Sequence, residues 1–106
     1  MDEQIVIVGY KPKVGKAEVL HQLMREHFSI LKSQNLVTDR ASIIMESKDG
    51  TIIEVFEWKS ISAIEQAHTN PVVLQMWEKY AEACEYIPIG QIEETSTLFS
   101  GFKPFI

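Results

Sequence analysis

The chain has 106 residues, 24% of them charged, and a net charge of −5, with a pI near 5.1. That length is read as one domain with a single core, residues 1–106. The acidic balance argues against nucleic acid, whose phosphates call for clustered Lys and Arg; the only basic cluster is Lys11, Lys13 and Lys16, in one loop. No apolar run approaches the roughly 18 residues of a membrane span. The N-terminus carries Asp2-Glu3 rather than the basic start of a signal peptide. Cys84 is the sole cysteine, so an internal disulfide is impossible and a reducing cytoplasm is expected.

Gln4 to Tyr10 is a β-branched run and predicts a first strand. A loop follows, with Pro12 and Gly15. From Lys16 to about Ser33, Leu20, Leu23, Met24, His27, Phe28 and Leu31 recur at helical spacing, with His21 and Arg25 off that stripe. Asn35 is a helix stop. Arg40 to Glu46 and Thr51 to Trp58 predict two strands, and Asp49-Gly50 between them is a hairpin signal. A short helix comes next, capped by Ser60 or Ser62; Ser62 and Glu65 have capping-box spacing. Asn70 and Pro71 open another helix, whose buried face is Val73, Met76, Trp77, Tyr80 and Cys84. Pro88 and Gly90 then break to a last strand, about Gln91 to Phe99, followed by an apolar tail, Gly101 to Ile106.

This order, β-α-β-β-α-β, predicts an α+β fold: a ferredoxin-like, four-stranded antiparallel sheet with its helices on one face. The strands are apolar on both faces. Ile5 and Ile7 alternate with Val6 and Val8, and Ile53 and Val55 with Ile52, Phe56 and Trp58. Two helices cover one face only, so the other calls for a partner. Two sheets packed face to face would bury both, which predicts a homodimer; alternatively, bends in register turn some of these residues to solvent.

Several constellations bear on chemistry. Gly9 to Lys16 looks like a phosphate-binding loop, but five residues separate its glycines and Ala17 stands where Ser or Thr would hold Mg²⁺. It reads as a solvated basic loop. His21 and His27 are six apart on a helix and diverge, and Cys84 has no Cys-x-x-Cys partner, so no metal site is expected. On an apolar helix stripe, Cys84 also reads as inert packing. His27 shares a face with Leu20, Met24 and Leu31, so it is either a core histidine bonded to a backbone carbonyl or a cavity-lining acid/base group. His68 either caps the end of the short helix or faces a pocket. Glu54 shares a strand face with Phe56 and Trp58, making it a candidate general base if covered. Glu57 points the other way; for both carboxylates the alternative is a strand-end residue that reaches solvent or makes an interchain pair with Arg40 or a lysine, and this is the expectation for Glu57.

The stretch Trp58-Lys-Ser-x-x-Ala63, followed by His68-x-x-Pro71, resembles the antibiotic biosynthesis monooxygenase-like proteins of the dimeric α+β barrel superfamily, and the element order agrees over nearly the whole chain. The resemblance implies two ferredoxin-like subunits whose sheets form a barrel, each with a pocket between sheet and helices. Its members include cofactor-independent monooxygenases of phenols and quinols, haem-degrading enzymes and proteins without known activity. In the monooxygenases the Trp matched by Trp58 lies in the pocket region, and an Asn four residues earlier makes polar contacts; here that position is Glu54. The haem-ligand histidine of the haem-degrading branch falls near Trp77, so no haem is expected. The expectation is a monooxygenase without metal or other cofactor, binding a small hydrophobic or aromatic molecule. Glu54, His27 and His68 are the candidate catalytic groups, and Trp58, Trp77, Tyr80, Phe56 and Met24 the candidate walls. The competing expectation is a non-catalytic ligand-binding or stress-related protein.

Overall fold

In the computed structural model, which describes residues 2–105, four main strands and three helices follow one another as β1 (Gln4–Pro12), α1 (Ala17–Ser33), β2 (Ile43–Glu46), β3 (Ile52–Trp58), α2 (Ile61–Ala67), α3 (Pro71–Ala83) and β4 (Cys84–Ile87). Two 3-10 turns (Ile89–Gln91, Glu93–Ser96) and a two-residue strand, β5 (Lys103–Pro104), complete the chain. The sheet is antiparallel in the order β4-β1-β3-β2-β5. Its first four strands have the expected ferredoxin-like arrangement, and β5 adds a fifth at the β2 edge.

The local signals act as the sequence predicts. Asn35 takes the left-handed conformation (φ 61°) one residue beyond the α1 cap, which ends the helix. Gly50 supplies the positive φ of the β2–β3 hairpin. Ser60, not Ser62, caps α2, accepting from the Ala63 N–H at 3.0 Å. The Asn70 side chain accepts from the Val72 and Val73 N–H groups at the start of α3.

Three expectations are corrected. The first strand runs on through Lys11 and Pro12, expected in a loop, which pair with Glu85 and Cys84. The second strand begins at Ile43 rather than Arg40, because Arg40 leaves the sheet to bind Glu57. The last main strand is Cys84–Ile87, not Gln91 to Phe99. Cys84 is extended (φ −153°, ψ 172°) and is the cap of α3 rather than part of its face. The chain turns straight from helix to strand because β1 offers Gly9 to Pro12 as an unpaired edge. Gly9 makes that pairing close: a Cβ there would lie 2.7 Å from the Ile87 carbonyl oxygen.

The core lies between the sheet and the helices. Tyr10, Ile52, Phe56 and Trp58 pack against Leu20, Met24 and Leu31 of α1 and Val73, Met76 and Tyr80 of α3. The opposite sheet face is only half covered. The 3-10 segment crosses it, burying Ile92 and Ile53, and with Phe102 it leaves a groove along Ile7, Met45 and Val55. Ile5, Ile7 and Ile43 remain 58%, 50% and 60% exposed on that face. The tail folds back: the Phe105 N–H donates to the Ile44 carbonyl at 2.9 Å, and its ring meets His21 and Arg25 of α1.

Candidate functional site

Strand periodicity builds the site. Val6, Val8 and Tyr10 are alternate residues of β1 and lie opposite Phe56, Glu54 and Ile52 of β3. All six therefore face the helices. A cavity of about 360 Å³ opens there, lined by Val6, Val8, Tyr10, His27, Phe56, Trp58, Trp77 and Tyr86. Its size is at the small end for ligand pockets, and its walls are almost wholly apolar and aromatic. Tyr10, His27, Phe56 and Tyr80 meet edge-on or tilted, with centroids 5.4–6.1 Å apart.

The polar end of the cavity is a buried network. Glu54 is 0% exposed. The Tyr10 hydroxyl donates to its Oε1 at 2.8 Å, and His27 Nδ1 lies 2.9 Å from Oε1 and 3.2 Å from Oε2. An ionised carboxylate only accepts, so beside one Nδ1 carries the hydrogen, and in the neutral imidazole the lone pair is then on Nε2, directed away from Glu54. Glu54 itself does not line the cavity; the two groups bonded to it do. Its partner is thus an imidazole rather than solvent, and His27 is bonded to a carboxylate rather than a carbonyl.

Burial and the Glu54 charge push the Tyr10 phenol well above its usual range. Tyr80, buried behind it, is also raised by burial first and Glu54 second. Both stay neutral donors at working pH. Burial likewise pushes Tyr86 up to about 12 and the Cys84 thiol up to about 11.

The remaining candidates divide. Phe56, Trp58 and Trp77 line the cavity. Tyr80 and Met24 lie behind it, joined by a 3.4 Å contact from the Tyr80 hydroxyl to the Met24 sulfur. His68 is exposed and away from the cavity lining; its Nδ1 contacts the Ile64 carbonyl at 2.8 Å and its ring stands edge-on to Trp77 at 5.2 Å. Glu57 accepts from Thr38 Oγ1 at 2.8 Å and Arg40 Nε at 3.1 Å on the other face. Among the described residues, no three His, Cys, Asp or Glu side chains converge as a metal site.

Tyr10 and Tyr86 were not singled out from sequence. Tyr10 was legible, since it shares the two-residue period of Val6 and Val8 that faces Glu54. Tyr86 was hidden by the misplaced last strand. The Tyr86 hydroxyl and the two indole N–H groups have no hydrogen-bond partner among the described residues.

No protein-family model matches the sequence, and no curated protein matches it significantly. Solved structures do match the fold. SnoaB, a cofactor-independent oxygenase from Streptomyces nogalater, superposes with a TM-score of 0.69 at 11% identity, over 82% of this chain and 88% of its own. Rv0793 from Mycobacterium tuberculosis gives 0.65 at 17% identity, over 80% and 88%. The chain therefore shares the α+β fold of these two proteins, in line with its resemblance to the antibiotic biosynthesis monooxygenase-like proteins.

Proposed function

We propose that the chain is a cofactor-independent monooxygenase acting on a small aromatic or quinol-type substrate in the cavity between sheet and helices. The observation that carries this reading is an imidazole lining an aromatic cavity with a fully buried carboxylate on its Nδ1. His27 Nε2 takes the hydroxyl proton of the substrate, and Glu54 balances the imidazolium that forms. The electron-rich anion then reduces O₂, and the walls formed by Phe56, Trp58 and Trp77 keep water away. Glu54 is a positioning residue in this scheme, and His68 supports Trp77. SnoaB, described as a cofactor-independent oxygenase, lends the reading support through a shared fold.

O₂ uptake with a panel of hydroquinones tests it. Turnover is expected, with Glu54→Gln lowering kcat more than it raises KM and shifting the pH profile. No turnover, with ligand binding unchanged in Glu54→Gln, refutes the enzyme and leaves a binding protein.

The half-covered sheet face supports a homodimer packed sheet to sheet, since Ile5, Ile7 and Ile43 would otherwise stay in water. Light scattering at micromolar concentration is expected to give twice the chain mass, and Ile7→Lys to halve it. A mass near 12 kDa for the unmodified chain refutes the dimer.

A further inference from the structure

We infer that the same cavity catalyses a second, oxygen-independent reaction: enolisation of small cyclic ketones, with His27 as the carbon base and Tyr86 as the donor to the carbonyl oxygen. The inference rests on the proposed function's assignment of His27 as base and Glu54 as its counter-charge in the same cavity, and not on any reaction with O₂.

A base that removes a proton from an aromatic hydroxyl can also take one from a carbon acid of similar acidity. Carbon acids are the slower case, because charge must be moved onto oxygen as the C–H bond breaks. A site that helps them needs a fixed counter-charge behind the base and a donor at the oxygen. Both are present. Glu54, 0% exposed and held by Tyr10 at 2.8 Å, is a counter-charge that need not reorganise. Tyr86 lines the same cavity, and its hydroxyl is unpaired among the described residues. Tyr86 is 52% exposed, and its partial burial still holds the hydroxyl protonated up to about 12, so it can donate. The Tyr10 ring contacts both, 6.1 Å from the His27 ring and 5.4 Å from that of Tyr86, and all three line the one cavity. One small ring can therefore place an α-carbon at His27 with its carbonyl toward Tyr86. No lysine or arginine lines the cavity, so the ketone should be uncharged.

The step is redox-neutral. The α C–H bond breaks, its proton passes to His27 Nε2, and the electron pair forms a C=C bond as the carbonyl becomes an enolate. Return of a proton from the imidazolium to carbon restores the ketone, and exchange with solvent in between labels it.

The experiment follows loss of the C1 proton signal of 2-tetralone in D₂O by NMR, without O₂. Exchange is expected to run at least about tenfold above buffer, to return to the buffer rate in His27→Gln, and to slow about 10- to 100-fold in Tyr86→Phe. Glu54→Gln should slow it and move its pH profile, which a purely structural defect would not. Wild-type exchange at the buffer rate overturns the inference, as does a His27→Gln protein with native circular dichroism and undiminished exchange. Hydroquinone oxidation is read separately: exchange without O₂ uptake overturns the monooxygenase reading alone, and O₂ uptake without exchange overturns this one alone.

Discussion

Tyr10 and Tyr80 make a controlled comparison for the buried network. Both are almost fully buried, at 2% and 0% exposure, and their rings touch at 5.4 Å. Truncating either to Phe leaves its packing intact and removes one hydroxyl. The Tyr10 hydroxyl donates to a buried carboxylate at 2.8 Å. A hydrogen bond to a charged group contributes about 1.5–3 kcal/mol, and Tyr10→Phe leaves Glu54 with His27 alone. The Tyr80 hydroxyl has only the Met24 sulfur, at 3.4 Å. Thioether sulfur is a weak acceptor, so Tyr80→Phe should cost about 0.5 kcal/mol or less. Urea denaturation at one fixed protein concentration measures both. Thermal midpoints should separate by several degrees, at roughly 4–8 °C per kcal/mol for a domain near this size. If Tyr80→Phe costs as much as Tyr10→Phe, the Tyr10–Glu54 bond is not a principal support of the site. A Tyr10→Phe/Glu54→Gln cycle showing no coupling would refute the network outright.

Alkali should destabilise the fold. Cys84 is raised from 9.0 to about 11 and Tyr86 from 10.0 to about 12, with Tyr10 and Tyr80 also raised. Below about pH 9 these groups are protonated in both states. Above it only the unfolded chain loses protons, so stability is complete at neutral pH and falls as pH rises through 9–12; an unchanged urea midpoint between pH 7.5 and 10.5 would contradict this. Gly9→Ala should cost about 1–3 kcal/mol, because the new Cβ meets the Ile87 carbonyl at 2.7 Å and that backbone is paired. Amide exchange should then rise along Cys84–Ile87 first, and protection there equal to wild type would show that the strands part without cost.

Local chemistry was legible wherever one residue type has one use. Asn35 past α1, Gly50 in the hairpin, and Asn70 with Pro71 at α3 act where the sequence places them, because positive φ and capping depend on a few neighbouring atoms. Period-two alternation showed Glu54 on the face of Phe56 and Trp58, and helical spacing turned His27 toward the sheet. The meeting of the two was not legible. Glu54 and His27 are 27 residues apart, and only the packing of α1 on β3 brings Nδ1 to 2.9 Å from the carboxylate. The last strand failed for the same reason. Cys84-Glu-Tyr-Ile87 has weak strand character of its own and becomes β4 because the β1 edge and Gly9 accept it. That docking carries Tyr86 to the cavity. Sequence by itself determined β1, the three helices, the β2–β3 hairpin and the faces they bury, since those follow from steric preferences within a few residues, but not β4. Tertiary structure alone decided which polar groups meet, because a contact across the core depends on how whole elements pack.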